Sequence, residues 1–227
     1  MAKLRVGILI SGRGSNMAAL IDAAAAADYP AEIVCLVSNK EDAAGLGIAA
    51  AAGVPTATVS HRAHPDREAF DRAVSAELER HGVELVVLAG FMRIFSPWFP
   101  ARWADRLINI HPSLLPAFKG LHVQRQALEA GVRLSGCTAH LVTPDLDSGP
   151  IIAQAAVPVL AGDTEATLAA RVLEQEHRLY PAALAWLAAG QIRLEEGRAI
   201  VTANLASGAL ANPLPQFAPL RRDDQTP

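Results

Sequence analysis

The sequence predicts an α/β protein: a doubly wound, mostly parallel central sheet with helices on both faces. Three observations carry that reading. Short apolar runs, the kind that form strands buried on both faces, alternate with segments of helical periodicity through the first half of the chain. The first such run ends in a glycine-rich turn that leads into a helix-forming stretch, the opening of a βαβ unit. Hydrophobic residues make up 51% of the 227 positions and charged residues 19%, ample material for a buried sheet.

The elements follow in order. Leu4 to Ile10 is a compact apolar run closed by Ser11-Gly12, hence the first strand. Met17, Leu20 and Ile21 then fall at helical spacing ahead of a run of alanines, whose helix propensity is high. Ala31 to Val37 reads as the second strand, Ala43 to Ala52 as a helix stopped by Gly53, and Pro55 to Val59 as the third strand. Asp66 to His81 is helical, and Leu85 to Ala89 is an uninterrupted apolar strand ending at Gly90. The second half is less regular. Leu107 to Ile110 reads as a strand, Leu121 to Ala130 as a helix, and Cys137 to Val142 and Ile151 to Pro158 as strands flanking a polar turn. Thr164 to Leu187 is the longest helical segment, capped by Asp163 or Thr164 and kinked at Pro181. Residues 1–211 are expected to form a single domain, with 212–227 a flexible proline-rich tail.

Bulk chemistry excludes several classes. Net charge is −3 and no long basic run occurs, so neither nucleic acid nor an anionic membrane is indicated as a partner. The alanine-rich stretches fall short of a membrane span, and the N-terminus lacks the pattern of a signal peptide. Cys35 and Cys137 each sit in apolar strand-like segments and read as buried free thiols. A cytoplasmic protein, acting on small molecules as a monomer or homodimer, is the expectation.

Four segments carry polar residues suited to chemistry. Ser11-Gly12-Arg13-Gly14-Ser15-Asn16 lies between strand and helix, where backbone N–H groups and the helix dipole favour an anion. The same segment also reads as a plain tight turn. Met17 stands where a dinucleotide fingerprint ends in glycine or alanine, and Asn39 and Lys40 follow the second strand where that fingerprint has an acid. In Asn109-Ile110-His111-Pro112-Ser113-Leu114-Leu115-Pro116, Asn109 and His111 share one face of an extended segment, an amide donor beside an imidazole. A hydrogen-bonded structural histidine fits that pattern as well. Asp145-Leu146-Asp147-Ser148-Gly149-Pro150 is a turn in which the acids are solvated, bind a metal, or, through Asp147, orient His111. Glu176 falls in register with Leu168, Val172, Leu179 and Ala183, so its carboxylate needs a partner, faces a cleft, or sits at the rim of the stripe.

The order of these motifs, with Ala89-Gly90-Phe91-Met92-Arg93-Ile94 among them, closely resembles the glycinamide ribonucleotide formyltransferases, a branch of the folate-dependent formyltransferase superfamily. The likeness runs from about Leu4 to Leu187. The His-Pro-Ser-Leu-Leu-Pro stretch belongs to the whole superfamily, while the Ser-Gly-x-Gly-Ser-Asn loop and the compact length point to the ribonucleotide branch. The resemblance implies a Rossmann-like fold and transfer of the formyl group of 10-formyltetrahydrofolate to the amine of glycinamide ribonucleotide, without a metal. It assigns Asn109, His111 and Asp147 to catalysis, with Asn109 also meeting the folate and His140 in support. Gly14, Ser15, Asn16 and Glu176 would hold the ribonucleotide; Arg67, Met92, Arg93, Ile94 and Phe95 would hold the folate. Gln124 departs from a histidine that relatives often carry there, and Lys119 from a proline found in some. Two other readings stay open: a formyltetrahydrofolate hydrolase, whose relatives usually carry an extra N-terminal domain while this chain begins at its first strand, and a non-catalytic phosphosugar-binding module.

Overall fold

The computed structural model describes residues 2–202; the tail expected over 212–227 lies outside them. Its centre is a seven-stranded sheet made of β1 (Leu4–Ile10), β2 (Ala31–Ser38), β3 (Thr56–Thr58), β4 (Leu85–Leu88), β5 (Leu107–His111), β6 (Leu134–Leu141) and β7 (Ile151–Pro158). The strand order is β3-β2-β1-β4-β5-β6-β7. Pairing is parallel from β3 through β5, and antiparallel between β5 and β6 and between β6 and β7. The chain leaves β1 toward one edge, then returns through β4 to the other. In such sheets the crevice at that reversal, at the carboxyl ends of the strands, is where ligands bind.

Six helices connect the strands: α1 (Ser15–Ala24), α2 (Ala44–Ala51), α3 (Arg67–Arg80), α4 (Trp98–Arg102), α5 (Val123–Glu129) and α6 (Glu165–Ala188). Because successive strand residues point to opposite faces, each central strand feeds two apolar layers. Ile8, Ile10, Ile108, Ile110, Cys137 and Ala139 pack with Met17 and Leu20 of α1 and with Leu168, Val172 and Tyr180 of α6. Leu9, Val86, Leu88 and Leu107 pack on the other face with Phe70, Val74 and Leu78 of α3 and with Phe99 and Trp103. Asn109, His111, Thr138 and His140 belong by alternation to this second face, beyond the apolar layer.

The sheet and long helices agree with the sequence reading, with local corrections. β6 begins at Leu134, three residues before the expected start, because its first turns pair with Val157 and Pro158 of β7. α5 begins at Val123, since His122 takes a left-handed conformation, φ 56°. Helix α6 runs through Pro181 uninterrupted; its N-terminus is closed by a Thr164–Thr167 capping box. A short helix, a 3-10 turn at His61–Ala63 and a hairpin went unread. Helix α4 is short and carries Pro100 and two aromatics that blur its period. The hairpin β8 (Ile192–Glu195) and β9 (Arg198–Val201) turns through Glu196 and Gly197, both at positive φ, the geometry that suits a two-residue hairpin turn. Cys35 and Cys137 are buried and free, and burial pushes both thiols up to about 12. No helix among the described residues is long and apolar enough to cross a membrane.

Candidate active site

The glycine-rich loop follows β1 directly. Gly14 is the N-cap of α1 at φ 75°, a left-handed conformation natural to glycine. A β-carbon there would also press on Gly45 Cα and Met17. Gly45 donates its N–H to the Gly12 carbonyl (3.1 Å), so the loop rests on the first turn of α2. The side chains of Ser15 and Asn16 do not cap α1. Ser15 is exposed, and Asn16 instead reaches across to α6, where its Nδ2 donates to Glu176 Oε2 (2.6 Å). Glu176 is therefore buried rather than at the rim, and burial raises its carboxyl pKa against the Asn16 hydrogen bond. Asn16 Oδ1 is buried with no partner among the described residues.

The second cluster forms on the antiparallel pair β5–β6. Register sets Asn109 opposite His140 and His111 opposite Thr138. His140 Nδ1 lies 2.9 Å from the Leu141 carbonyl, which accepts, so Nδ1 carries the proton. Its Nε2 then accepts from Asn109 Nδ2 at 3.3 Å. That contact fixes the amide's orientation and leaves its second N–H to donate elsewhere. Burial holds the His140 imidazole below its ordinary range, opposed by the Leu141 carbonyl and the Asp147 carboxylate. A neutral ring is what this relay of hydrogen bonds requires.

His111 is buried at the end of β5, with Nε2 2.9 Å from the Phe118 carbonyl and Nδ1 3.5 Å from Asp147 Oδ2. The Phe118 carbonyl accepts from Nε2, and Nδ1 faces the Asp147 carboxylate. Asp147 reaches this point because its turn adopts φ 47°, and Oδ2 also accepts the Gly120 N–H at 2.9 Å. Its Oδ1 lies 3.9 Å from His140 Nε2, so one carboxylate faces both imidazoles. The intervening loop is pinned from below. Ser113 donates to the Ala117 carbonyl, Thr138 donates to the Ser113 carbonyl, and Gln154 donates to the Leu115 carbonyl.

The third group surrounds the irregular segment after β4. Met92 and Ile94 are strongly exposed, at 72% and 66%, an apolar display that asks for a ligand. Phe95 instead joins a stack between Phe91 (5.2 Å) and Phe99 (4.1 Å). Arg93 lies over Phe70, with its guanidinium carbon 5.5 Å from the ring centroid. Arg67 opens α3 and is exposed beside a cavity of about 740 Å³, lined also by Asp66, Arg72, Ser96 and Pro97. The fold thus joins Asn109, His111, Asp147 and His140 in one cluster and Asn16 with Glu176 in another. Arg67 and residues 92–95 form the third group.

Sequence reasoning did not single out Ser11, Asn39, Gly45 or Asp71 as site residues, though each is buried beneath these groups. For Asp71 a signal existed: an acid inside the apolar stripe of Phe70, Val74 and Leu78. Among the described residues no cluster of three or more His, Cys, Asp or Glu is placed to hold a metal ion.

Fold and site together define a doubly wound α/β enzyme with an amide–imidazole–carboxylate cluster beside a glycine-rich loop. The chain belongs to the formyl transferase family, whose model matches residues 4–184. It is 47% identical over 196 residues to the phosphoribosylglycinamide formyltransferase of Escherichia coli (strain K12), covering 86% of this chain and 92% of that protein. It is 49% identical over 194 residues to the human trifunctional purine biosynthetic protein adenosine-3, covering 86% of this chain and 19% of that protein. The chain spans a fifth or less of the length of such trifunctional relatives. Among solved structures it superposes on glycinamide ribonucleotide transformylase 1 from Symbiobacterium toebii with a TM-score of 0.86 at 46% identity, covering 88% of this chain and 94% of that one.

Proposed function

We propose that the chain transfers the formyl group of 10-formyltetrahydrofolate to the amine of glycinamide ribonucleotide. The observation that carries this reading is the cross-strand arrangement of Asn109, His111, His140 and Asp147, set beside a glycine loop suited to a phosphate. Both features accompany high similarity to a relative named for that reaction.

In this reading the phosphate rests on the N–H groups of Gly14, Ser15 and Asn16, and Glu176 meets the ribonucleotide. Met92, Arg93, Ile94, Phe95 and Arg67 hold the folate. The neutral glycinamide amine attacks the formyl carbon, and the carbonyl oxygen gains negative charge as the tetrahedral intermediate forms. Asn109 offers it the N–H that His140 leaves free. His111 Nε2 offers the proton that now goes to the Phe118 carbonyl, the formyl oxygen replacing that carbonyl as acceptor. Asp147 holds His111 from the Nδ1 side and, with water, passes the amine's surplus proton toward the departing folate nitrogen. No covalent enzyme intermediate is needed. Residues 1–211 act as one domain in the cytoplasm, as a monomer or homodimer.

The test follows release of deformylated folate spectrophotometrically with purified protein and a 10-formylfolate donor. Turnover that requires glycinamide ribonucleotide, and falls about a hundred- to a thousandfold in His111→Ala, is the expected result. Turnover without the ribonucleotide overturns it in favour of a hydrolase using water. Binding without turnover in either case leaves a phosphosugar-binding module.

A further inference from the structure

The segment Phe91–Ser96 runs between β4 and α4 as irregular chain, so its backbone donors have no ladder or helix to satisfy them. Side chains supply the missing acceptors at its two ends. The N–H of Met92 donates to Ser11 Oγ at 2.8 Å, and that hydroxyl donates in turn to Asn39 Oδ1 at 2.6 Å. Four residues later, Asp71 Oδ2 accepts both the N–H and the hydroxyl of Ser96, at 2.6 and 2.7 Å. Ser11, Asn39, Asp71 and Ser96 are all buried, with Asp71 fully so. Between the two anchors lie Arg93, Ile94 and Phe95.

Burying a carboxylate is costly unless bonding compensates, and a second oxygen of this one, Oδ1, has no partner. Burial accordingly raises the Asp71 pKa despite the two Ser96 bonds and the nearby charges of Arg67 and Arg93. A neutral or apolar side chain at position 71 would pack beside Phe70 and Val74 without that cost. What the carboxylate does that such a residue does not is hold Ser96 at two points. The opposite anchor has a different location. Ser11 is the residue immediately before Gly12, and its own N–H donates to the Gly90 carbonyl at 3.2 Å. Through its backbone and its side chain, one residue therefore links the ends of β1, β2 and β4.

We infer that Ser11 and Asp71 are positioning residues that clamp the folate-facing segment Met92–Phe95 from its two ends, and that Ser11 also ties this segment to the ribonucleotide loop. The inference rests on the proposed reaction for its kinetic consequences, but the clamp itself does not depend on it. Neither residue contacts the reacting atoms. Loss of either anchor loosens binding and leaves the chemical step, carried by Asn109, His111 and Asp147, in place.

The two anchors differ in a way that experiment can read. Asp71→Ala raises KM for the formylfolate donor about tenfold, the scale of one or two lost hydrogen bonds, with KM for the ribonucleotide and kcat unchanged. Asp71→Asn retains one carboxamide oxygen for Ser96 and restores most of the donor KM. Ser11→Ala raises both KM values, because it borders both loops. Amide hydrogen exchange on the full chain reads the clamp without any substrate: the Met92 amide exchanges faster in Ser11→Ala only, and the Ser96 amide in Asp71→Ala only. A mere loss of stability would speed exchange throughout the sheet and shift both KM values in every variant, and that result overturns the inference. Unchanged exchange at Met92 and Ser96 overturns it equally. Faster local exchange in the two variants, beside a wild-type protein that does not turn over with the ribonucleotide, retains the clamp and removes the proposed reaction instead.

Discussion

Two regions lie side by side at the carboxyl edge of one sheet and are built by opposite means. The cluster of Asn109, His111 and His140 stands on strands, so register places each side chain and the ladder of β5 and β6 holds it there. The segment Phe91–Ser96 has no ladder and takes its shape from buried side chains at its ends. Strand-borne groups suit a reaction in which donors must meet one oxygen within a few tenths of an ångström. A tethered loop with exposed Met92 and Ile94 suits a ligand held by apolar contact, where a small displacement costs little. Errors in the first region should cost rate, and errors in the second should cost affinity.

The sharpest way to break that contrast is to remove a donor from the strands. Asn109→Ala should lower kcat about a hundred- to a thousandfold with little change in melting temperature, measured by steady-state kinetics beside calorimetry. Attacking the ladder itself gives the next effect. A β-carbon at Gly136 would collide with the backbone carbonyl of Ala155, on the strand that supports β6. Gly136→Ala should therefore destabilise the chain by about 3 kcal/mol in denaturant unfolding, with activity lost in parallel. A milder probe is His140→Leu, which leaves the Asn109 amide unguided and should lower kcat about tenfold. It also has a pH signature. His140 has a lowered pKa in the native chain, so as pH falls below the ordinary imidazole range the unfolded state takes the proton first and stability drops. That share of the acid loss should vanish in the leucine variant.

The smallest effect sits at the Asn16–Glu176 pair, the proposed ribonucleotide side. Glu176 has a raised pKa in the native chain, so it binds its proton more tightly folded than unfolded. Stability therefore falls as pH rises from the ordinary carboxylate range through the raised value. Glu176→Gln keeps an oxygen for Asn16 Nδ2 and removes this loss. Its melting temperature should exceed wild type by a few degrees at pH 7 and match it near pH 4, while ribonucleotide affinity falls.

Much of this was legible in the residues. Parallel strands buried on both faces appear as unbroken apolar runs, which is why β1, β2 and β4 could be placed within a residue or two. The amphipathic stripes of α3 and α6 were as plain. The family motifs named residues that the fold gathers into one cluster, but not that His140 orients Asn109, since that depends on a register between strands about thirty residues apart. Asp71 was hidden for a related reason. Its partner, Ser96, lies across a strand and two loops, and a lone acid in an apolar stripe does not say what it holds. The β8–β9 hairpin did carry a local signal, with Ile192 and Leu194 alternating with Arg193 and Glu195 before Glu196-Gly197.

Tyr180 bears on how such a protein can be rebuilt. Its buried hydroxyl lies 2.9 Å from the Leu88 carbonyl and 3.1 Å from the Ile108 carbonyl, on the strands that lead into the segment Phe91–Ser96 and the cluster of Asn109 and His111. Glu176 sits one helical turn before it. The hydroxyl acts as an index pin, locking the rotation of α6 so that the carboxylate meets Asn16. Each residue inserted or deleted between the two turns one against the other by about 100°. A chimera that grafts α6 from a relative can vary its surface freely, but it must carry the interval from 176 to 180 intact.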